Sequence, residues 1–157
     1  MTQPVRRRTR AREVALQFLY QFDLRREALD AGNLAETAER IREASGGDQE
    51  IASFALRLVQ GTMSRRDDLD KHLRSVTRNW DLRRMATIDR NVLRMAIYEM
   101  THCPDVPPKV AINEAIELAK KFSTANSGGF VNGILDRVRL DLVAEAEARS
   151  RPAGQQA

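Results

Sequence analysis

The segment VPPKVAINEAIELAKKF, residues Val106–Phe122, decides the fold class. Pro108 suits the first turn of a helix, because its φ is already helical and its missing N–H would lack a partner there anyway. Behind it Ala111, Ala115, Leu118 and Phe122 recur at spacings of four, three and four, with Ile112, Ile116 and Ala119 alongside. That period places one apolar stripe on a helix, and the second row widens it. The width predicts a central helix packed on two sides. On its upstream side, Pro104 to Pro108 must end the preceding helix and extend the chain, since proline disfavours the helical conformation in the residue before it.

The same period recurs outward in both directions. Upstream, Ile88, Val92, Met95, Ala96 and Met100 predict a helix with Thr87 as its cap. Leu69, Leu73, Val76 and Trp80 give another stripe, and Ile51, Phe54, Ala55, Leu58 and Val59 a further one that fades near Gly61. Ser45-Gly46-Gly47-Asp48 reads as a loop ending in an N-cap. Arg25–Arg42 is charged and helix-prone, broken at Gly32-Asn33, and near the start Ala11, Ala15, Phe18 and Phe22 line one face with Leu19 beside them. Downstream of Phe122, Ser123–Gly129 is a polar loop, and Val131, Leu135, Val138 and Leu142, widened by Ile134, form a last helix. No stretch alternates with a strand's period of two, and there is no internal repeat. The expectation is an all-α, compact helical domain of about seven helices.

Composition agrees. Ala, Leu, Arg and Glu are strong helix formers, whereas aromatic residues make up only 5% of the 157-residue chain, a length that suits one domain. The formal net charge is +4, and its placement matters more than its size. Arg6, Arg7, Arg8, Arg10 and Arg12 crowd five positive charges ahead of the first acid, Glu13; outside that segment Lys and Arg no longer outnumber the 22 acidic residues. The expected organisation is an arginine-rich arm over residues 1–12, a helical domain over 13–143, and a disordered tail over 144–157, where AEAEARSRPAGQQA has little to bury.

Five cations at a helix start oppose the positive end of the helix dipole and one another, and an external polyanion resolves that conflict. Arginine forks onto phosphates and stacks on bases. By itself the cluster implies polyanion binding, with no choice of RNA over DNA. Other chemistries are poorly served. Cys103 is the single cysteine, so no intramolecular disulfide forms, and His72, His102 and Cys103 lack ligand-like spacing, so no metal is expected. There is no phosphate-cradling glycine loop, and Gly128-Gly129 is better read as a helix connection. No apolar run approaches the roughly 18 residues that span a bilayer, and Val14–Leu24 alternates with polar residues unlike a signal peptide. A cytoplasmic protein without membrane, metal or cofactor is expected. Asn113 and Asn132 stand inside apolar helices and call for a buried polar contact or a ligand.

VPPKVAINEAIELAKKF, the loop after it and FVNGILDRV (Phe130–Val138) closely resemble the NusB family of transcription antitermination factors. So do RRRTRAREVALQFLYQFDL (Arg6–Leu24) and RNVLRMAIYEM (Arg90–Met100), and the resemblance runs from Arg6 to Leu142. It implies two small helix bundles sharing a long central region, and a non-enzymatic RNA-binding protein. Such factors bind the boxA element of ribosomal RNA leader transcripts together with NusE, a small-subunit ribosomal protein. The pair joins other Nus factors on RNA polymerase and suppresses premature termination. On this chain the resemblance assigns RNA binding to Arg6, Arg7, Arg8, Arg10, Arg12, Tyr20, Asn126, Ser127, Phe130 and Asn132, with Thr9 standing where an arginine is common. It assigns the partner side to Tyr20, Asp89 and Glu99. Arg25–Gly47 matches the family poorly.

Two other readings stay open on the residues alone. NusB-like domains also front some ribosomal RNA methyltransferases, but those need a cofactor domain of alternating strands and helices, a pattern this sequence does not show. The second is a homodimeric interaction module, or a ribosomal RNA maturation or assembly factor, whose basic arm is masked.

Overall fold

The computed structural model describes residues 4–78 and 81–150. Among them are seven helices and no strand: α1 (Pro4–Arg25), α2 (Leu34–Ala44), α3 (Gln49–Ser64), α4 (Arg66–Val76), α5 (Thr87–His102), α6 (Pro108–Phe122) and α7 (Ser127–Ser150), with a 3-10 turn at Leu82–Arg84 between α4 and α5. α1, α2 and α3 pack together, as do α4, α6 and α7, and α5 touches a helix of both groups. The fold is therefore two small bundles sharing α5.

Local signals explain most boundaries. Gly46 and Gly47 adopt φ of +64° and +77°, the left-handed region that an L side chain enters at a cost, and they reverse the chain after α2. Asp48 then caps α3, its carboxylate accepting from the N–H groups of Glu50 and Ile51. Pro108 sits in the first turn of α6. Thr87 differs from expectation: it is already helical, preceded by Ala86, and no side chain caps α5. Trp80 lies outside the described residues. The α4 stripe is nonetheless in place, with Leu69, Leu73 and Val76 buried.

The central helix is α5, not α6. α6 buries one face and leaves Val110 and Phe122 at 42% and 40% exposure. α5 is covered nearly all round, and that includes Asp89, Asn91, Arg94 and Glu99. A charged residue tolerates such burial only when paired and hydrogen-bonded. Near the start of α5 one carboxylate meets this need: Asp23 of α1 accepts from Arg90 Nε (2.9 Å), Asn91 Nδ2 (2.9 Å) and Arg94 Nη1 (3.1 Å). Arg94 also grips Asp70 of α4 through Nε (2.6 Å) and Nη2 (2.9 Å), so one network ties α1, α4 and α5.

α3 does not fade at Gly61 but runs to Ser64. Gly61 is the point of closest approach to α5, where a methyl group would overlap the Tyr98 ring. At the other end of the chain α7 continues to Ser150, exposed throughout from Ala144, and residues 151–157 lie outside the described set. No helix among the described residues is long and apolar enough to cross a membrane.

Two outcomes follow from this packing. Gly61→Ala should lower stability by about 1–3 kcal/mol, since overpacking forces the crossing apart, and the Gly61→Ala, Tyr98→Leu double variant should recover part of the loss; a melting temperature unchanged in the single variant contradicts the close approach. For Asp23, burial raises the carboxyl's pKa, but hydrogen bonds from Asn91 and Arg90 and the charges of Arg94 and Arg90 outweigh it, leaving it below its ordinary value of 3.8. A group depressed on folding contributes stability above its unfolded pKa and loses it as pH falls through the folded value. Asp23→Asn should therefore destabilise most at neutral pH, with the gap to wild type closing below about pH 4 in denaturant titrations. A gap constant across pH would refute the ion-pair assignment.

Candidate nucleic-acid interface

The arginine cluster is not a separate arm: it forms the opening turns of α1, whose helix starts at Pro4. One hundred degrees per residue divides it into rows. Arg6 and Arg10 are exposed, Arg7 and Arg8 half-buried, and Arg12 only 2% exposed. Arg7 pairs with Asp48 (3.3 Å) and Glu50 (3.1 Å), Arg8 with Asp105 (3.0 Å), and Arg10 more loosely with Glu13 (3.8 Å). Arg6 has no ion-pair partner among the described residues. Thr9 donates its hydroxyl to Glu114 at 2.8 Å.

Two of the expected site residues are corrected by burial. Arg12 turns inward and donates to Glu99 through Nε (3.0 and 3.1 Å) and Nη2 (2.7 Å), with Glu114 a further 3.6 Å contact. Glu99 is itself 1% exposed. Burial raises its pKa, against which the Arg12 hydrogen bonds and charge pull it down. Neither residue offers a group to an external phosphate or to a protein partner; together they fasten α1 to α5.

The outward residues meet two depressions. A groove of about 220 Å³ is lined by Arg10, Leu16, Tyr20, Ile88 and Phe122. Arg10 and Tyr20 are ten residues apart on α1, roughly 15 Å along its axis, so a cation stands toward one end of the groove and a half-buried ring toward the other. Phe122, expected in the core, forms the opposite rim. Beside the groove a larger cleft of about 740 Å³ is bordered by Asp81, Arg84, Asp89, Asn126, Ser127 and Phe130. Ile88 and Asp89 are consecutive on α5 and line one depression each.

The cleft thus brings together four of the expected residues, with Asn126 exposed and Phe130 half-buried. Ser127 is 2% exposed, and its hydroxyl lies 3.1 Å from Asp89 Oδ2 and 3.0 Å from the hydroxyls of Ser123 and Thr124. It shapes the wall and is not a free surface donor. Asp89 is 7% exposed, and its buried Oδ1 has no hydrogen-bond partner among the described residues. Asn132 does not line the cleft; like Asn113 it is exposed on its helix, so neither makes the buried contact expected of it. Among the described residues no group of His, Cys, Asp or Glu is placed to hold a metal ion.

Residues 9–139 match the model of the NusB family. The chain belongs to that family. It is 46% identical over 136 residues to the transcription antitermination protein NusB of Myxococcus xanthus, covering 87% of this chain and 96% of that protein. With NusB of Anaeromyxobacter dehalogenans it shares 47% over 137 residues, covering 87% and 92%. Among solved structures it superposes on NusB of T. maritima with a TM-score of 0.73 at 36% identity, covering 88% and 92% of the two chains. It also superposes on a chain from a crystal structure of antitermination factors NusB and NusE in complex with double-stranded RNA, with a TM-score of 0.72 at 26% identity and coverage of 85% and 96%. The all-helical NusB fold and membership of this transcription antitermination family are thereby shown.

Several residues of this surface were not among those read from the sequence. Arg57, Phe54 and Asp105 gather beside the arginine rows, and Asp81 and Arg84 border the cleft. Arg57 and Asp105 are 48 residues apart, so no local pattern marks them, and Asp81, which pairs with Arg83 two residues on, reaches the cleft only through the fold.

Glu99→Ala should leave Arg12 buried with Glu114 alone and cost about 3 kcal/mol or more, the usual penalty for stranding a buried charge. A loss below about 1 kcal/mol in denaturant unfolding, the scale of an exposed pair, would contradict the structural role given to this pair.

Proposed function

We propose that this NusB-family chain is a non-enzymatic RNA-binding antitermination factor. It binds boxA RNA of ribosomal RNA leader transcripts together with NusE, and with the other Nus factors on RNA polymerase it suppresses premature termination. The observation that carries this reading is the order of features on one side of the molecule: outward arginines at the start of α1, then the Tyr20–Phe122 groove, then the cleft of Asn126, Phe130 and Asp89.

Each feature suits one part of a single-stranded RNA. Arg6, Arg7, Arg8 and Arg10 supply bidentate donors for phosphates, contacts that position but carry no sequence information. Tyr20 and Phe130 offer ring faces to unstacked bases, and Asn126, with Asn132 further along α7, offers amide groups to base edges. Asp89 belongs to the partner side: its carboxylate lies in the cleft wall without an ion pair among the described residues, so its charge favours a cationic group that NusE brings to the cleft. The solved complex of NusB and NusE with double-stranded RNA, which contains a chain of this fold, supports a reading in which RNA and NusE are both ligands.

Gel-shift or anisotropy measurements with boxA RNA, with and without NusE, test the reading. If about four phosphates are neutralised, log affinity should fall with log salt at a slope near −3. Arg8→Ala with Arg10→Ala should weaken boxA and scrambled RNA alike, whereas Tyr20→Ala should erode the discrimination between them. An affinity independent of salt would overturn the phosphate assignment, and equal losses for Tyr20→Ala on both RNAs would reduce Tyr20 to packing.

A further inference from the structure

Three guanidinium groups gather over the ring of Phe54: Arg8 at 4.3 Å, Arg12 at 5.3 Å and Arg57 at 5.7 Å from its centre. Arg12 is consumed by Glu99. The other two reach past the ring to one carboxylate, that of Asp105. Arg57 donates Nη2 to Oδ1 at 2.7 Å and Nη1 to Oδ2 at 3.1 Å, and Arg8 donates Nη2 to the same Oδ2 at 3.0 Å. Asp105 rides on the α5–α6 connection, in a turn closed by Val106 N–H donating to Cys103 O (2.9 Å), with Pro104 in its second position. All three side chains remain accessible, Arg8 at 42%, Arg57 at 37% and Asp105 at 44%. A fork of parallel N–H donors plus one from a second arginine is the arrangement that takes a phosphate as readily as a carboxylate.

We propose that Arg8 and Arg57 form a binding site for a backbone phosphate of single-stranded RNA, and that Asp105 occupies this site as an internal surrogate in the free protein. The inference rests on the RNA-binding reading above and extends the cationic track from α1 onto α3. The hydrogen bonds from Arg57 and Arg8 hold the Asp105 carboxyl well below the usual carboxylate range, so the surrogate stays charged. A phosphodiester also carries one negative charge, so exchanging it for Asp105 leaves the charge at the site unchanged. A tethered carboxylate competes at high effective concentration. A free inorganic ion therefore loses to it, while a phosphate held nearby by Arg6 and Arg10 on the same strand does not.

The test compares full-length wild type with Arg57→Gln, Asp105→Asn and the double variant, titrating boxA and scrambled single-stranded RNA over a range of salt. Arg57→Gln should bind both RNAs about 3–10-fold more weakly, with a salt slope shallower by about 0.7, the loss of one phosphate contact. Asp105→Asn should bind both more tightly by a similar factor, and adding Arg57→Gln should abolish that gain. The ion pair is exposed, so both variants should melt close to wild type. An unchanged affinity in Arg57→Gln, or weaker binding in Asp105→Asn, overturns the site while leaving the RNA-binding reading intact. A wild type whose binding ignores salt overturns both. Substituting phosphate for chloride at matched ionic strength should leave RNA affinity unmoved; a drop would mean the site takes the free ion, and overturns its assignment to RNA.

Discussion

The surface of this molecule depends on how α1 is pinned to α5. Arg12 meets Glu99 near one end of the contact, and Asp23 meets Arg90, Asn91 and Arg94 near the other. At 1.5 Å per residue the two fastenings lie roughly 16 Å apart along α1. Two polar anchors at that separation leave the helix free neither to slide by a turn nor to roll about its axis. The orientation of every other arginine follows. Arg8 lies one turn before Arg12 and shares its row, so it faces Phe54 and Asp105. Arg6 and Arg10 fall on a different row, continued by Glu13, Gln17 and Tyr20, and face outward. A charge cluster that looks uniform in the chain is therefore sorted by two inward contacts.

Such anchors contribute more to definition than to stability. The desolvation of Arg12 and Glu99 offsets most of their attraction, so a well-packed apolar pair could serve equally well for folding energy. An apolar α1–α5 contact would nonetheless accept several ridge-into-groove offsets of similar energy, whereas a displaced Arg12 would leave two buried charges unanswered. The penalty for the wrong register is what makes the pair useful. Gly61 acts in the same direction on the α3–α5 contact, where the Tyr98 ring fits only against a residue without a side chain.

What the sequence made legible was whatever depends on neighbours along the chain. Apolar spacing placed the helices, Gly46-Gly47 and Asp48 marked the α2–α3 reversal, and Pro108 marked the start of α6. The identity of the central helix was hidden, because α5 carries Asp89, Asn91, Arg94 and Glu99 on surfaces that are buried, and polar letters read as solvent-facing. Their partners on other helices are 24 to 87 residues away, beyond any local pattern. For the same reason Arg12 was indistinguishable from Arg10, and Asp105 from any acid in a loop. Phe122 misled in the opposite sense: its spacing is that of the α6 core stripe, but it is the last residue of the helix and clears the bundle. Of the expected site, the cleft residues Asp89, Asn126, Ser127 and Phe130 do converge, because the resemblance to a known family supplied them together.

The two carboxylates at either side of this surface stand in opposite states. Both oxygens of Asp105 accept from arginine donors, so a phosphate that takes the same guanidinium groups must displace it. Asp89 is buried in the cleft wall, hydrogen-bonded by the Ser127 hydroxyl and without an ion pair among the described residues. A cation brought to the cleft therefore meets that carboxylate without breaking an existing ion pair. Contacts at the arginine end are thus exchanges of similar bonds, individually small in net effect and screened by salt, while a cation entering the cleft displaces no charged partner of Asp89. On the proposed reading this asymmetry divides the labour: the arginines hold the RNA backbone weakly and without regard to sequence, and the cleft rewards a partner of the right chemistry. Each ligand then holds a different end of one surface whose two ends the α1–α5 anchors keep in fixed relation, so that contact between the bound RNA and the bound partner, and not the rigidity itself, couples their binding.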